Sequence, residues 1–346
     1  MDDVLTKRVV KTSVQKVSYH LDFTLSPAQQ AISDKLITNY QNHLSTLIMA
    51  VCGSGKTEIT FAVIAHVLNH GGRVCFTIPR KALCQELYTR FQKAFSHLTI
   101  GLFYGGMQKH PEASFIICTT HQLYRFTSTP FDLILMDEAD AFPYYGDPVL
   151  EHMFDLCVGH VFIKMSATLT NADIHDEQVL LMNRRYHGHD LPVPHIRLLI
   201  KPLAMLYLYA RLRHYKKLGA KVLIYVPTIN RLPYYLKYLK PFFRVAAVSS
   251  HSDDITRQLT ALKEGQLDAL ITTTILERGV TLTNAQAIVM EASHPIFDER
   301  TLMQIAGRVG RKIGCEEGDV IFCDSYVSKA MILCISTIKK LNRMDV

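Results

Sequence analysis

The sequence has no run of about 18 apolar residues, so no segment reads as a transmembrane helix. Its start, Met1-Asp2-Asp3-Val4, lacks the basic cluster and apolar stretch of a secretory leader, and a cytoplasmic protein is the expectation. None of the eight cysteines, at 52, 75, 84, 118, 157, 315, 323 and 334, is spaced Cys-x-x-Cys. Several stand in apolar, strand-like runs, which points to buried free thiols rather than a disulfide framework or a zinc site. Charged residues are 20% of the chain and apolar residues 48%, a balance that argues against extensive disorder. The net charge of +7 permits a polyanionic partner without demonstrating one. At 346 residues the chain is long enough for two domains, each with its own core.

Against these absences stands a glycine loop. Ala50-Val51-Cys52-Gly53-Ser54-Gly55-Lys56-Thr57 follows the apolar Leu47-Ile48-Met49 and precedes a segment of helical character beginning at Glu58. A strand, a glycine loop and a helix in that order make a phosphate cradle, with Gly53, Ser54 and Gly55 in its turn. Successive backbone N–H groups and the positive end of the helix face a polyphosphate there. Lys56 is placed to reach the β and γ phosphates, and the Thr57 hydroxyl to complete a Mg²⁺ shell. Ala50 stands where such loops usually have their first glycine. Upstream, Ser26-Pro27 reads as a helix N-cap followed by proline at the first helical position. The Gln29 amide, both donor and acceptor, suits the N6 and N7 edge of adenine.

Downstream, polar residues recur at the ends of apolar runs. Val74–Ile78 reads as a buried strand broken by Pro79, with Arg80 and Lys81 after it. Gly105 and Gly106 close another strand, and Thr119, Thr120 and His121 end Phe115–Cys118. Open α/β sheets place ligands at such strand ends, and these residue types are usual phosphate contacts of a nucleic-acid surface. Phe131–Met136 leads into Asp137-Glu138-Ala139-Asp140, a Walker B pattern in which Asp137 holds Mg²⁺ through water and Glu138 orients and deprotonates the attacking water. Val161–Met165 then delivers Ser166-Ala167-Thr168. Residues 23 to about 170 thus imply a mostly parallel, doubly wound sheet. Prolines at 192 and 194 interrupt an irregular stretch, and the expected organisation is a lead over 1–22, one domain over 23–190 and a second over 191–346. The second α/β series has no further phosphate loop. It carries Thr272-Thr273-Thr274 with Glu277-Arg278-Gly279, and Gln304-x-x-Gly307-Arg308-x-Gly310-Arg311. Two arginines three apart on one helical face, flanked by glycines, read as arginine fingers.

Gln29, Ala50–Thr57, Asp137–Asp140, Ser166–Thr168, Thr272–Gly279 and Gln304–Arg311 together resemble, in order, the motifs of superfamily 2 helicases. In detail they are similar to the ComFA family, the ATP-dependent motors of bacterial DNA uptake during competence. Asp137-to-Tyr144, Tyr186-His187-Gly188-His189 with Leu191-Pro192-Val193-Pro194, and Thr273-to-Thr281 complete that likeness, which runs from about residue 20 to the end. The resemblance implies an α/β fold of two tandem RecA-like domains, each a mostly parallel sheet flanked by helices, using ATP and Mg²⁺. It implies catalytic roles for Lys56, Asp137, Glu138, Gln304, Arg308 and Arg311, and nucleotide contacts from Gln29, the glycine loop and Gly279. Single-stranded DNA would meet Arg80, Lys81, Gly105, Gly106, Thr119, Thr120, His121, Thr272 and Thr273, with Asp140, Ser166 and Thr168 coupling hydrolysis to movement. The partners implied are a ComFC-like protein and a membrane DNA-uptake channel, reached peripherally at the inner face of the membrane without insertion. ComFA proteins commonly carry an N-terminal four-cysteine zinc module; no cysteine precedes Cys52 here, so no zinc is expected. The rival readings are a replication-restart or recombination helicase, an RNA helicase of the kind named for the Asp-Glu-Ala-Asp string, and an inactive DNA-binding scaffold. Gln304, where those RNA helicases have His, weighs against the second. The complete set of Lys56, Glu138 and Arg311 weighs against the third.

Overall fold

The apolar runs of the sequence pair into two separate sheets. The structure, a computed structural model, describes residues 16–343 except 52, 141–142, 167–176, 186–187, 250–251, 253, 274–281, 311–313 and 316. The backbone divides into two compact units, the first closing at Met182 and the second opening at Asn183. The fold class is the one expected, α/β with two mostly parallel sheets.

The first unit runs α1 (Pro27–Gln41), β1 (Thr46–Ala50), α2 (Phe61–Asn69), β2 (Val74–Ile78), α3 (Lys81–Ala94), β3 (Ile100–Tyr104), β4 (Met107–Lys109), β5 (Phe115–Thr119), β6 (Phe131–Asp137), α4 (Pro148–Cys157), β7 (Val158–Ser166) and β8 (Gln178–Met182). The strand order is β4-β3-β5-β2-β6-β7-β1-β8, and only β4 is antiparallel to its neighbour. Every residue of β2, β3 and β5 is buried, as continuous apolar runs are when a parallel sheet is covered on both faces. α1, α2 and α3 cover one face through Leu36, Ile64 and Phe91. α4 and a 3₁₀ turn at Thr120–Phe126 cover the other through Phe154 and Phe126. Phe91 lies with its ring centroid 5.0–5.2 Å from those of Phe61, Phe76 and Phe115, and truncating so enclosed a ring costs about 3–5 kcal/mol.

β1 carries the glycine loop and is held on both sides. Thr46 pairs with Ile163 of β7 and with Gln178 of β8. α1 begins with a full capping box: the Ser26 hydroxyl accepts from the Gln29 N–H, and the Gln29 side chain accepts from the Ser26 N–H.

The second unit runs β9 (His195–Leu198), α5 (Lys201–Lys217), β10 (Lys221–Tyr225), α6 (Leu232–Leu239), β11 (Val245–Val248), α7 (Ile255–Lys263), β12 (Ala269–Thr272), β13 (Ala285–Met290), α8 (Glu299–Ala306), β14 (Val320–Asp324) and α9 (Lys329–Arg343). Its order is β11-β12-β10-β13-β14-β9, with every pairing parallel. α5 and α6 share one core with the sheet, where Leu208, Tyr215, Tyr235 and Leu239 meet Ile224 and Ile288. All six strands of this sheet therefore end on one edge, where Tyr225, Thr272, Met290 and Asp324 are the last residues of β10, β12, β13 and β14.

Candidate nucleotide and nucleic-acid site

The chain leaves β1 with the Val51 N–H donating to the carbonyl of Met182 at 3.0 Å, so the edge strand β8 anchors the start of the loop. Gly53 and Gly55 take φ of 83° and 82°, a left-handed backbone that glycine adopts without strain. Between them the Ser54 N–H donates back to Val51 at 3.2 Å and closes the turn. The Gln29 amide N–H₂ donates to the Ser54 carbonyl at 2.8 Å while its oxygen accepts from Ser26 at 2.9 Å. A Cβ on residue 55 would stand 2.5 Å from the Gln29 amide nitrogen, so a side chain there would displace the Gln29 amide, and it would be strained at φ 82° in any case. The amide expected against adenine thus bridges the helix cap and the phosphate loop.

Lys56 and Asp137 face one another. The lysine Nζ lies 3.9 Å from the carboxylate Oδ1, with the two side chains only 16% and 13% exposed. Asp137 ends β6, and its Oδ1 accepts from the Glu138 N–H at 2.8 Å. Glu138 consequently turns through φ 57°, a left-handed conformation that is strained for glutamate, and the Ala139 N–H ties the turn to the Met165 carbonyl at 3.1 Å. Strain of this kind gathers at functional positions. Thr57 is buried at the head of a 3₁₀ turn, Glu58–Thr60, with which the helical segment expected from Glu58 begins before it continues as α2. Asp140 and Ser166 are buried beside these strand ends. Thr168 and Cys52 lie outside the described residues.

These residues fit a nucleotide with its Mg²⁺. The Ser54 hydroxyl is buried in the loop without a hydrogen-bond partner among the described residues, and a lysine and a carboxylate stand together at the loop's mouth. Thr57 and Asp137 are the oxygen donors such a cation takes. Among the described residues no group of three or more His, Cys, Asp or Glu side chains is placed to hold a metal ion. No described helix is long and apolar enough to cross a membrane.

Adjacency of β3, β5 and β2 brings three of the strand ends to one edge. Gly105 and Gly106 are exposed there, with nothing within 4 Å of where a Cβ would stand, so a polymer backbone can approach closely. The Lys81 Nζ sits 4.9 Å from the centre of the Tyr104 ring, and Arg80 precedes it at the N-cap of α3. His121 is exposed, and Thr119 is buried. Thr120 differs from the expectation. It is fully buried, its hydroxyl has no partner among the described residues, and the 3₁₀ turn that it opens directs it inward.

In the second unit the Val226 N–H donates to the Thr272 carbonyl at 2.8 Å, locking the ends of β10 and β12 together. Thr272 is also fully buried, and its hydroxyl donates to the carbonyl of Thr273 at 3.0 Å rather than facing outward. Thr273 is 6% exposed. Gln304 lies buried on α8 and Arg308 just beyond its end. Arg311 and Gly279 fall outside the described residues.

One residue of this region escaped sequence reasoning. Arg185, 2% exposed, forks onto the carbonyls of Gly307, at 3.3 Å, and Gly310, the two glycines that flank Arg308. In the sequence it sits in an Arg-Arg pair within an irregular stretch, which looks like surface charge. Its burial depends on a segment more than a hundred residues away.

Comparison with known proteins follows the same division. The family described as "Type III restriction enzyme, res subunit" matches residues 22–171, and the "Helicase conserved C-terminal domain" matches 203–313. Competence protein ComFA of Streptococcus pneumoniae is 34% identical over 336 residues, covering 92% of this chain and 77% of that protein. Its namesake in Bacillus subtilis is also 34% identical, over 93% of this chain and 73% of its own length. Among solved structures, S. cerevisiae Dbp5 bound to RNA and ADP BeF3 superposes with a TM-score of 0.60 at 16% identity, covering 92% of each chain. The DUF1998 helicase MrfA bound to DNA superposes with a TM-score of 0.61 at 15% identity, over 94% of this chain and 52% of that one. At those identities the two structures share the fold.

Proposed function

From the membership of this chain in the ComFA family of superfamily 2 helicases, nucleic-acid-dependent ATPases, we propose that it is a single-stranded DNA translocase driving DNA uptake in competence. The observation that carries the reading beyond family is the meeting of Lys56 with Asp137 at the mouth of a glycine loop already in its left-handed turn. Gly53, Ser54 and Gly55 cradle the triphosphate, and Lys56 turns from Asp137 to the β and γ phosphates. Thr57 and Asp137 would hold Mg²⁺, which would supply positive charge to the phosphates. Glu138 takes the proton of the attacking water as the water oxygen bonds to the γ phosphorus. The bond from that phosphorus to the β–γ bridging oxygen breaks, leaving ADP and phosphate. Gln304, Arg308 and Arg311 act on this reaction from the second unit, the arginines as fingers, with Gly279 contacting the nucleotide. Fingers of this type contribute about 10³–10⁵ in rate.

DNA would be held through its backbone by Arg80 and the exposed Lys81, Gly105, Gly106 and His121. Thr119, Thr272 and Thr273 are buried and would meet it only through the backbone of their strand ends, so binding is salt-sensitive and tolerant of sequence. Asp140, Ser166 and Thr168 link hydrolysis to the movement of the grips. The site of action is the inner face of the cell membrane, where a ComFC-like protein and the uptake channel are the partners.

ATP hydrolysis measured in parallel with no nucleic acid, single-stranded DNA, duplex DNA and RNA tests this. Single-stranded DNA is expected to stimulate most, and Lys56→Ala to abolish turnover under all four conditions. Stimulation by RNA or duplex alone would replace the substrate assignment, and normal turnover in Lys56→Ala would remove the mechanism. The ATP-dependent DNA helicase RecG of Streptococcus pneumoniae, 24% identical over 87% of this chain, motivates a strand-displacement arm to the same experiment.

A further inference from the structure

A cavity of about 300 Å³ opens at the edge of the second sheet where β13 and β14 end. Its walls are the first turns of α5 and α6 and the segments leaving the two strands, and it includes Lys201, Arg231, Tyr234, Glu291, Asp324 and Tyr326. None of these belongs to the nucleotide site. Ligand pockets begin at about this size, at strand ends such as these. The volume corresponds to about ten water molecules, and a nucleobase has about as many non-hydrogen atoms.

The lining states the chemistry of the occupant. The lining holds two cations, Lys201 and Arg231, and two carboxylates, Glu291 and Asp324. Glu291 accepts from the Arg231 guanidinium at 2.7 Å and from the Tyr235 hydroxyl at 3.0 Å. Asp324 accepts from the Ser293 N–H at 2.8 Å, the Ser293 hydroxyl at 2.6 Å and the Ser325 N–H at 2.6 Å. Burial pushes the Asp324 carboxyl up, but these hydrogen bonds outweigh it and hold the carboxyl below its ordinary range, so it stays ionised. With two cations and two carboxylates the lining carries no net charge, so it favours neither a free phosphate nor a free cation. What fits is a neutral, flat group with donors for the carboxylates and π faces for the Tyr326 ring and for the side of the Tyr234 ring opposite Arg231, whose guanidinium lies 5.0 Å from the ring centre. The Tyr326 ring is more than half exposed, so a face is open for stacking.

Position supplies the rest. β13 lies two strands from β12, about 10 Å at the usual strand spacing, along the edge that ends in Thr272. The segment leaving β10, locked to Thr272 through Val226, runs on to Arg231 and Tyr234 in the cavity wall. We propose that this cavity receives one unstacked nucleobase of the single strand gripped at the Thr272 edge, stacked on Tyr234 and Tyr326. It rests on the single-stranded DNA reading above and deepens it, adding a base contact to a surface otherwise made for the backbone. Stacking accepts every base, so the contact strengthens binding without adding sequence preference.

The test is equilibrium binding of the full chain, by fluorescence anisotropy at fixed salt, to an oligothymidylate and to a strand of the same length whose residues are abasic. Tyr326→Ala and Tyr234→Ala are each expected to weaken binding to the oligothymidylate about tenfold, while Tyr326→Phe, which keeps a stacking face, stays within about twofold of the parent. On the abasic strand the parent and all variants bind alike. An equal loss on both strands, or no loss on either, overturns the base pocket while leaving the translocase reading standing. A parent chain that binds neither strand removes both.

Discussion

Gln29 reaches 25 residues along the chain to donate to the carbonyl of Ser54 at 2.8 Å, in the turn of the phosphate loop. Its oxygen is engaged by Ser26, so a single amide fixes the helix cap and the loop together. Gln29→Glu keeps the acceptor for Ser26 and turns an acceptor toward the Ser54 carbonyl. A buried hydrogen bond replaced by an unsatisfied pair costs about 1–3 kcal/mol. The KM for ATP should rise about tenfold in Gln29→Glu, with the melting temperature changed less than in Gln29→Ala, which also loses the side-chain half of the capping box. Steady-state ATPase rates across an ATP titration measure it, and an unchanged KM in the glutamate variant would show that the strut is idle.

Arg185 offers a second separation of position from chemistry. Arg185→Ala leaves the Gly307 and Gly310 carbonyls without their donors, and loss of a buried charged hydrogen-bonding group costs about 2–3 kcal/mol. Lysine is a point donor and cannot span both carbonyls, so Arg185→Lys should recover little. Both variants should lower kcat more than KM, because the glycines they release flank Arg308. Retained kcat with a lowered melting temperature would confine Arg185 to stability.

Asp268 provides a pH test. Burial raises its carboxyl, but the Arg244 side chain and N–H, with Lys216, outweigh that and hold it below the usual range. The unfolded chain, at about 3.9, therefore binds the proton first, and the stabilisation is complete above that value. It is lost as pH falls through the lower folded value. Asp268→Asn should melt below the parent at pH 7 by the equivalent of about 1 kcal/mol, a modest figure because both cations are about half exposed. The two melting curves should converge below pH 4; a constant gap down to pH 3 would show that the charge contributes nothing.

Thiol labelling probes the cores. Burial raises the Cys157 thiol to about 12 and the Cys323 thiol to about 11, and it carries Cys84 and Cys334 higher still. Of the seven cysteines described, only Cys315 is not buried. An aromatic disulfide reagent at pH 8 should modify Cys315 within minutes and the other six only on unfolding. Peptide mapping that finds rapid modification of Cys75 or Cys118 would contradict the packing of β2 and β5.

The sequence made the central strands plain because β2, β5 and residues 133–136 of β6 are buried on both faces and read as nearly continuous apolar runs. β8 and β9 were not legible. They are edge strands whose mostly exposed residues mix Gln178, His195 and Arg197 with aliphatics, and prolines precede β9 directly. The site divides similarly. Lys56, Asp137 and Glu138 are tied to local pattern, whereas the partner of Gln29 and the burial of Arg185 are set by tertiary contacts. Thr120 and Thr272 have the residue type that a strand end favours for phosphate. Successive side chains point to opposite sides, so where each hydroxyl goes is decided by a one-residue phase that type does not encode.

β1 also has a place in time. It is the first strand of its sheet to be synthesised, yet both of its neighbours, β7 and β8, are the last. A chain still growing on the ribosome can assemble β2 through β6 while β1 waits without a partner. The nucleotide site therefore closes only once Met182 has been made and has cleared the exit tunnel, some 130 residues after its own loop. Nascent chains halted before β7 would carry the whole phosphate loop and be unable to hold ATP.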